Sequence, residues 1–364
     1  MRPTERRKVV VFGPSTEALS GVSTHVRMLL GSDLAREFEL LHFQVGSEGR
    51  TESAARRLAR FVLSPLELAL LLARSGAPLV HLNASLDPKG YWRDLVYSIV
   101  ARLLGRRVLN QIHGGPLPQQ FFRARTLRWI LRRFLVSSEV VTVLSSAELA
   151  AYRGFDPRIR VHHVPHAVDP CGLADQARAH GASGPLELAY VGRIVRAKGL
   201  FEAIEALAEL LREGRRFRLR IAGDGPDRES LAAAVRAAGL EGRVRLVGSV
   251  FGARKHRLLL GSDVFVFPSY SEGLPYALLE AMAAGCVPVA TPVGAIPDVM
   301  AEGVHGLFVP PKDSAALARA LASLDDDRAR LAHIGHAARR RILEHYTVTR
   351  LAEDFGALYR ACLA

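Results

Sequence analysis

The chain has 364 residues, 49% of them apolar, 23% charged and only 7% aromatic, with a net charge of +13. That length and composition fit two or three domains, each with a sizeable core, and exclude a disordered chain; no apolar run nears the ~18 residues of a membrane span. Three scattered cysteines (Cys171, Cys286, Cys362) form neither a C-x-x-C nor a disulfide framework, and Val9 to Phe12 is too short for a signal-peptide core, so a reducing, cytoplasmic setting is expected.

The charge is uneven. Residues 1–185 carry 25 Lys and Arg against 15 Asp and Glu, and the remainder 24 against 21. An anionic partner for the first half would explain this, and so would compositional bias, since 44 of the 49 cations are Arg.

In chain order, short continuous apolar blocks read as strands: Val9–Gly13, Leu79–Leu82, Val108–Ile112 and Val140–Val143, then Leu188–Val191, Leu219–Ala222, Val244–Val247, Val264–Phe267 and Val287–Ala290. Blocks without polar alternation belong to strands covered on both faces, which predicts parallel sheets. Helical patterns lie between them, among them Leu200–Leu211, Arg228–Ala238 and Pro275–Ala284. The Gly-, Pro- and His-rich stretch 165–185 breaks the rhythm. The fold class expected is α/β, with two Rossmann-like doubly wound parallel-sheet domains facing a cleft. The boundaries are 1–168, a linker over 169–186, a second domain over 187–345, and a last helix within 346–364.

Several loops at strand ends carry candidate chemistry. Ser20-Gly21-Val22-Ser23-Thr24 opens a helix, where a phosphate could approach or a hydroxyl could simply cap. His113 follows Val108–Ile112 beside two glycines, at a strand end and not in a core. Gly192-Arg193 and Lys198-Gly199 flank a strand-to-helix loop, where two cations five residues apart could clamp a diphosphate. Gly223-Asp224-Gly225 is a weaker glycine turn. No complete dinucleotide fingerprint and no G-x-x-x-x-G-K-[ST] loop is present.

Glu272-Gly273-Leu274-Pro275 follows Val264–Phe267 and precedes an otherwise apolar helix containing Glu280. If helical spacing held between the two carboxylates they would lie about 80° apart. Glu280 among apolar residues calls for a partner. Arg123–Val136 is a basic amphipathic helix with Trp129 at its flank. It suits either an anionic membrane surface or packing of its stripe on the sheet with arginines in water, and the second reading is preferred. With few aromatics and no stacking platform, nucleic acid is not an expected partner.

These motifs together resemble glycosyltransferases of the GT-B fold, and within them the large family 4 of retaining, nucleotide-sugar-dependent enzymes. The resemblance is carried by Val191-Gly192-Arg193 with Lys198-Gly199, Ala222 to Pro226, Pro268 to Glu280 with its E-x7-E pair, Ala283 to Thr291 and Gly303 to Pro311. It is strong over about 186–325 and confined to Gly21 and His113-Gly114 before that. It implies that Arg193 and Lys198 bind the donor diphosphate, that Glu280 holds ribose, and that Glu272, Gly273 and Leu274 hold the transferred sugar. His113 would touch that sugar, and Gly21, Gly192 and Gly223 would lie near the donor. Ser249, Val250 and Phe251 would face the base.

The donor implied is a UDP- or GDP-sugar, used without a metal. The acceptor expected is a saccharide or lipid-linked hydroxyl of polysaccharide biosynthesis, with the enzyme peripheral at the inner membrane face. The last helix would return to the first domain. Ser20-Gly21 in place of a glycine pair, His166-Ala167 in place of Asn-Gly, and Asp298 in place of Glu depart from the family pattern. Two rivals are a sugar-nucleotide epimerase, which would need further acid–base carboxylates in the first half, where no pattern singles out Glu148 or Asp94, and a non-catalytic anion-binding protein.

Overall fold

A computed structural model describes residues 6–18, 20–46, 53–173 and 184–364. They divide into a first unit, formed by residues up to Ala167 with Val348–Ala364, and a second, Val168–Thr347. Most of the linker expected over 169–186 lies outside the described residues.

The first unit runs β1 (Arg7–Gly13), α1 (Gly21–Gly31), α2 (Leu34–Glu37), β2 (Phe38–Gln44), α3 (Ala54–Ser75), β3 (Leu79–Ala84) and α4 (Pro88–Leu103). It continues with β4 (Arg107–Ile112), α5 (Pro118–Phe121), α6 (Arg125–Val136), β5 (Val140–Val143), α7 (Ser146–Phe155) and β6 (Val161–His163). The second unit holds β7 (Leu186–Val191), α8 (Leu200–Arg212), β8 (Phe217–Ala222), α9 (Arg228–Ala237), β9 (Val244–Gly248), α10 (Gly252–Leu260) and β10 (Val264–Phe267). After these come α11 (Tyr276–Ala283), β11 (Val287–Ala290), α12 (Ile296–Val299), β12 (Leu307–Phe308), α13 (Ser314–Asp326) and α14 (Arg328–His345). The closing helix α15 (Val348–Leu363) belongs to the first unit.

Each unit is one six-stranded parallel sheet, ordered β2-β1-β3-β4-β5-β6 and β12-β11-β10-β7-β8-β9. The apolar blocks are the strands covered on both sides. Val10 and Phe12 of β1 face Leu68 and Leu72 of α3 and Tyr97 of α4. Val9 and Val11 face Val26 and Leu29 of α1 and Phe355 and Tyr359 of α15. Both faces need a helical layer, because an exposed parallel sheet would leave such side chains in water.

The sequence reading named no strand at Phe38–Gln44, Val161–His163 or Leu307–Phe308. All three are edge strands, only partly buried in the first two, so they lack the continuous apolar signature. The stripe of α6 packs on the sheet: Leu131, Phe134 and Leu135 are buried in the cluster around β5, leaving Trp129, Arg125, Arg128 and Arg133 exposed. Among the described residues no helix is long and apolar enough to cross a membrane.

Candidate functional site

In the second unit three strand-end turns lock together at backbone distance. Gly223 has φ +156°, and a Cβ there would stand 1.8 Å from the Gly192 carbonyl oxygen. Gly199 has φ +70°, and its Cβ would stand 2.0 Å from the Pro268 oxygen. Only glycine fits either place, for conformation and space alike. The Tyr190 hydroxyl donates to the Arg193 carbonyl at 2.8 Å, and Gly192 N–H donates to Ala222 O at 3.0 Å. The ends of β7, β8 and β10 are thereby drawn into one surface of close-packed backbone with Arg193 exposed upon it. Gly223→Ala is expected to cost the second unit about 3 kcal/mol or more, read as a fall in its calorimetric midpoint. An unchanged midpoint would contradict this packing.

Two lysine–glutamate pairs stand at this surface. Lys198, in the turn before α8, pairs with Glu272, whose side chain is 9% exposed. Lys255 of α10 pairs with Glu280 of α11 at 2.5 Å, both largely buried. Glu280 among apolar residues thus has the partner that the sequence demanded, although Lys255 went unnamed because it lies in an undistinguished basic run.

Glu272 and Glu280 do not share a helix. Helix α11 begins at Tyr276 with Pro275 as its cap, and Glu272 lies in the loop before it, so no helical angle relates the two carboxylates. Gly294 closes over this loop, where a Cβ would stand 2.1 Å from Glu272 O, and Ala295 N–H donates to Gly273 O at 2.9 Å. Leu274 is buried beneath it. Gly223 N–H donates to Gly248 O at 2.9 Å, which brings the end of β9 and Ser249 to the same turn. Val250 is buried, and Phe251, capping α10, is 53% exposed.

In the first unit Ser20 caps α1, its side chain accepting from Ser23 N–H at 3.2 Å, and Gly21 follows as the first helical residue. The capping reading holds for Ser20. His113 lies at the end of β4 within a group that the sequence reading did not assemble. Asn83 donates from Nδ2 to Phe12 O at 2.7 Å, which turns its Oδ1 toward His113 Nε2 at 2.6 Å. His113 Nε2 therefore carries the proton, and its Nδ1 accepts from His166 Nε2 at 2.9 Å. His25 stands edge-on to His113 with ring centroids 4.8 Å apart. His81 bridges Tyr359 Oη at 2.6 Å and Gln111 Oε1 at 3.1 Å.

Burial, reinforced by neighbouring imidazoles, holds His25 and His113 well below the usual histidine pKa, and burial holds His81 down at about 3. These three imidazoles are neutral at physiological pH. Of the epimerase candidates, Glu148 closes the capping box of α7 and Asp94 is buried against Arg93. Among the described residues no three His, Cys, Asp or Glu side chains converge at metal-ligand spacing.

The family profile described as "Glycosyl transferases group 1" matches residues 175–341. The 2-deoxystreptamine glucosyltransferase of Streptomyces kanamyceticus is 31% identical over 310 residues, covering 78% of this chain and 75% of that protein. Among solved structures, sucrose-phosphate synthase from Thermosynechococcus elongatus superposes with a TM-score of 0.78 over 98% of each chain at 21% identity. Anabaena HepE in complex with UDP-glucose does so with a TM-score of 0.75 over 97% of this chain and 99% of that one, at 17% identity. At these identities the structural likeness is one of fold.

Proposed function

As a member of the glycosyl transferases group 1 family with the GT-B fold, this chain is a glycosyltransferase, and we propose that it moves a sugar from a UDP- or GDP-sugar to an acceptor hydroxyl with retention. The observation that carries this reading is the pair of buried lysine–glutamate contacts on the glycine-locked surface of the second unit. Nothing in the packing of this unit gives a reason to desolvate these four charges, Lys198 and Glu272 in strand-end loops and Lys255 and Glu280 on α10 and α11, whereas a diphosphate sugar needs cations and carboxylates together.

In this reading Arg193 and Lys198 hold the donor diphosphate and take up the charge that grows on it as the sugar leaves. Glu272 gives up part of its contact with Lys198 and accepts from the sugar hydroxyls, beside the backbone of Gly273 and Leu274. Glu280, positioned by Lys255, accepts from the ribose hydroxyls, and Ser249 to Phe251 flank the base. The bond from C1 to the diphosphate oxygen breaks, a bond from C1 to the acceptor oxygen forms on the same face, and the acceptor proton passes to the departing diphosphate. For His113 to touch the sugar, one ring nitrogen must exchange Asn83 or His166 for a sugar hydroxyl.

The acceptor side is assigned to the first unit, and the acceptor to a saccharide or lipid-linked glycan intermediate at the inner membrane face. A thermal-shift panel of UDP, GDP, ADP and TDP with their sugars tests the donor site. One nucleotide is expected to raise the midpoint of the second unit with rising concentration, and Lys198→Ala to abolish that rise. The absence of any shift would favour a protein that binds no sugar nucleotide.

A further inference from the structure

Glu272 sits in a loop that is pinned on both sides. Before it, Thr291 Oγ1 donates to Ser269 O, while Ser269 Oγ and Tyr270 N–H both donate to Ala197 O, at 3.3 and 2.8 Å. After it, Gly273 O accepts from Ala295 N–H at 2.9 Å. Ala197 adjoins Lys198 in the turn before α8. The loop that carries the carboxylate is therefore fastened to the turn that carries its lysine partner.

Tyr270 adds a second fastening through its side chain. Its hydroxyl donates to Oε1 of Glu202, in the first turn of α8. The ring thus reaches from two residues before Glu272 to four residues after Lys198. The Lys312 ammonium stands over that ring, 5.0 Å from its centre. Lys312, at φ +63°, is the one non-glycine among the described residues with a left-handed backbone, a conformation that persists only where the surroundings enforce it. A hydrogen bond holds the ring at its hydroxyl end, and a cation holds it at its face.

Packing alone does not explain this choice of groups. Glu202 Oε2 is shut off from water and bonds to nothing among the described residues, and a half-satisfied carboxylate there is destabilising. A phenylalanine against an aliphatic side chain would fill the same space without that cost. What the polar pair supplies is direction. A hydrogen bond to a charged acceptor fixes where the hydroxyl end of the ring lies, whereas an apolar contact lets it slide.

We propose that Tyr270 is a positioning residue of the donor site, fixing the Glu272 loop against α8 so that the carboxylate meets the hydroxyls of the transferred sugar. This rests on the function proposed above, in which Glu272 holds that sugar while Arg193 and Lys198 hold the diphosphate. The two ends of the donor then respond differently. Untying the loop displaces the carboxylate from the sugar, while the cations that hold the diphosphate stand on the loop between β7 and α8 and stay in place.

The test is calorimetric titration of the full chain with UDP, GDP, ADP or TDP, whichever raises the midpoint, bare and as its sugar conjugates. Tyr270→Phe is expected to weaken the tightest-bound conjugate about tenfold and the bare diphosphate by less than about twofold. Glu202→Leu, which leaves the hydroxyl in place but untied, is expected to do the same. Glu202→Gln, whose amide oxygen still accepts, is expected to keep the wild-type ratio. The double variant Tyr270→Phe with Glu202→Leu should lose no more than either alone, and it carries the measurement if Tyr270→Phe unfolds by stranding Glu202.

Equal weakening of conjugate and bare diphosphate, or no weakening of either, would make the contact a structural one and overturn the proposal. A loss in Tyr270→Phe with none in Glu202→Leu would make the hydroxyl itself a ligand of the sugar, and the proposal would fall as well. A wild type that binds no nucleotide defeats the glycosyl-transfer reading and takes this proposal with it. Normal wild-type binding with an unmoved ratio in the variants defeats this proposal alone.

Discussion

Lys198→Ala is expected to lower kcat/KM about 10²- to 10³-fold, and adding Glu272→Gln to restore the folded state without restoring the rate. The two halves of this expectation come from different physics. Glu272 is 9% exposed and Lys198 21% exposed, so the lone lysine deletion leaves a nearly buried carboxylate without its counter-charge. Breaking a buried pair costs about 3–5 kcal/mol, and the part-exposed lysine end brings the figure here to about 2. Glu272→Gln removes the stranded charge, so the double variant should unfold close to the wild-type midpoint.

The rate behaves otherwise. A cation placed where charge develops is worth about 3–4 kcal/mol in the transition state, and no change at Glu272 replaces it on the diphosphate. Release of nucleoside diphosphate from the donor sugar chosen by the binding panel, followed beside thermal unfolding, separates the two effects. Recovery of both in the double variant would make the ion pair a structural contact and end its assignment to the donor.

How much of this was legible in the chain depended on burial. The four-residue strands β5, β10 and β11 are buried at every position, and a strand with no wet face announces itself as an unbroken apolar block. Strand β2 carries Glu39, His42 and Gln44 along a half-buried edge and so resembles loop or helix equally. Helix α3 escaped notice for a different reason. Its residues are apolar round most of the circumference, with Pro65 in the interior, so it shows neither a single stripe nor an uninterrupted run.

At the site, residue types were readable where local chain geometry placed them. Glu272, Lys198, Gly199 and Gly223 each sit at a strand end marked by glycine or proline. Pairings were not readable, because Lys255 reaches Glu280 from a helix 25 residues earlier and His166 reaches His113 across 53. A histidine on an apolar segment reads as an ordinary core residue. Only the sheet order reveals that His25, His81 and His113 meet, which makes acid stability the property where that omission has its largest consequence.

The first unit is expected to lose about 2 kcal/mol of stability between pH 7 and pH 5 through His81, and more through His25. Both are fully buried, and burial holds both native pKa values down, that of His81 at about 3. In the unfolded chain each titrates near 6.5. Between 6.5 and 3 the unfolded state therefore takes up a proton at His81 that the native state refuses, so stability falls as pH falls through that window and the loss levels off below it. His25 acts with the same sign. Well below 6.5 the His81 imidazole contributes about 1.4 kcal/mol per pH unit, or about 2 kcal/mol at pH 5, against a total of about 5–15 kcal/mol for a typical domain.

Trp92 and Trp129 both lie in the first unit, so urea unfolding followed by tryptophan emission at pH 7.5, 6.5, 5.5 and 4.5 reports this unit alone. His81→Gln is expected to be less stable than wild type at pH 7.5, having weakened its bonds to Tyr359 and Gln111, yet to show an acid slope shallower by one proton. His25→Gln should flatten the slope by a second. Slopes unchanged in both variants would mean that these imidazoles charge in the native state, and the neutral cluster around His113 would have to be redrawn.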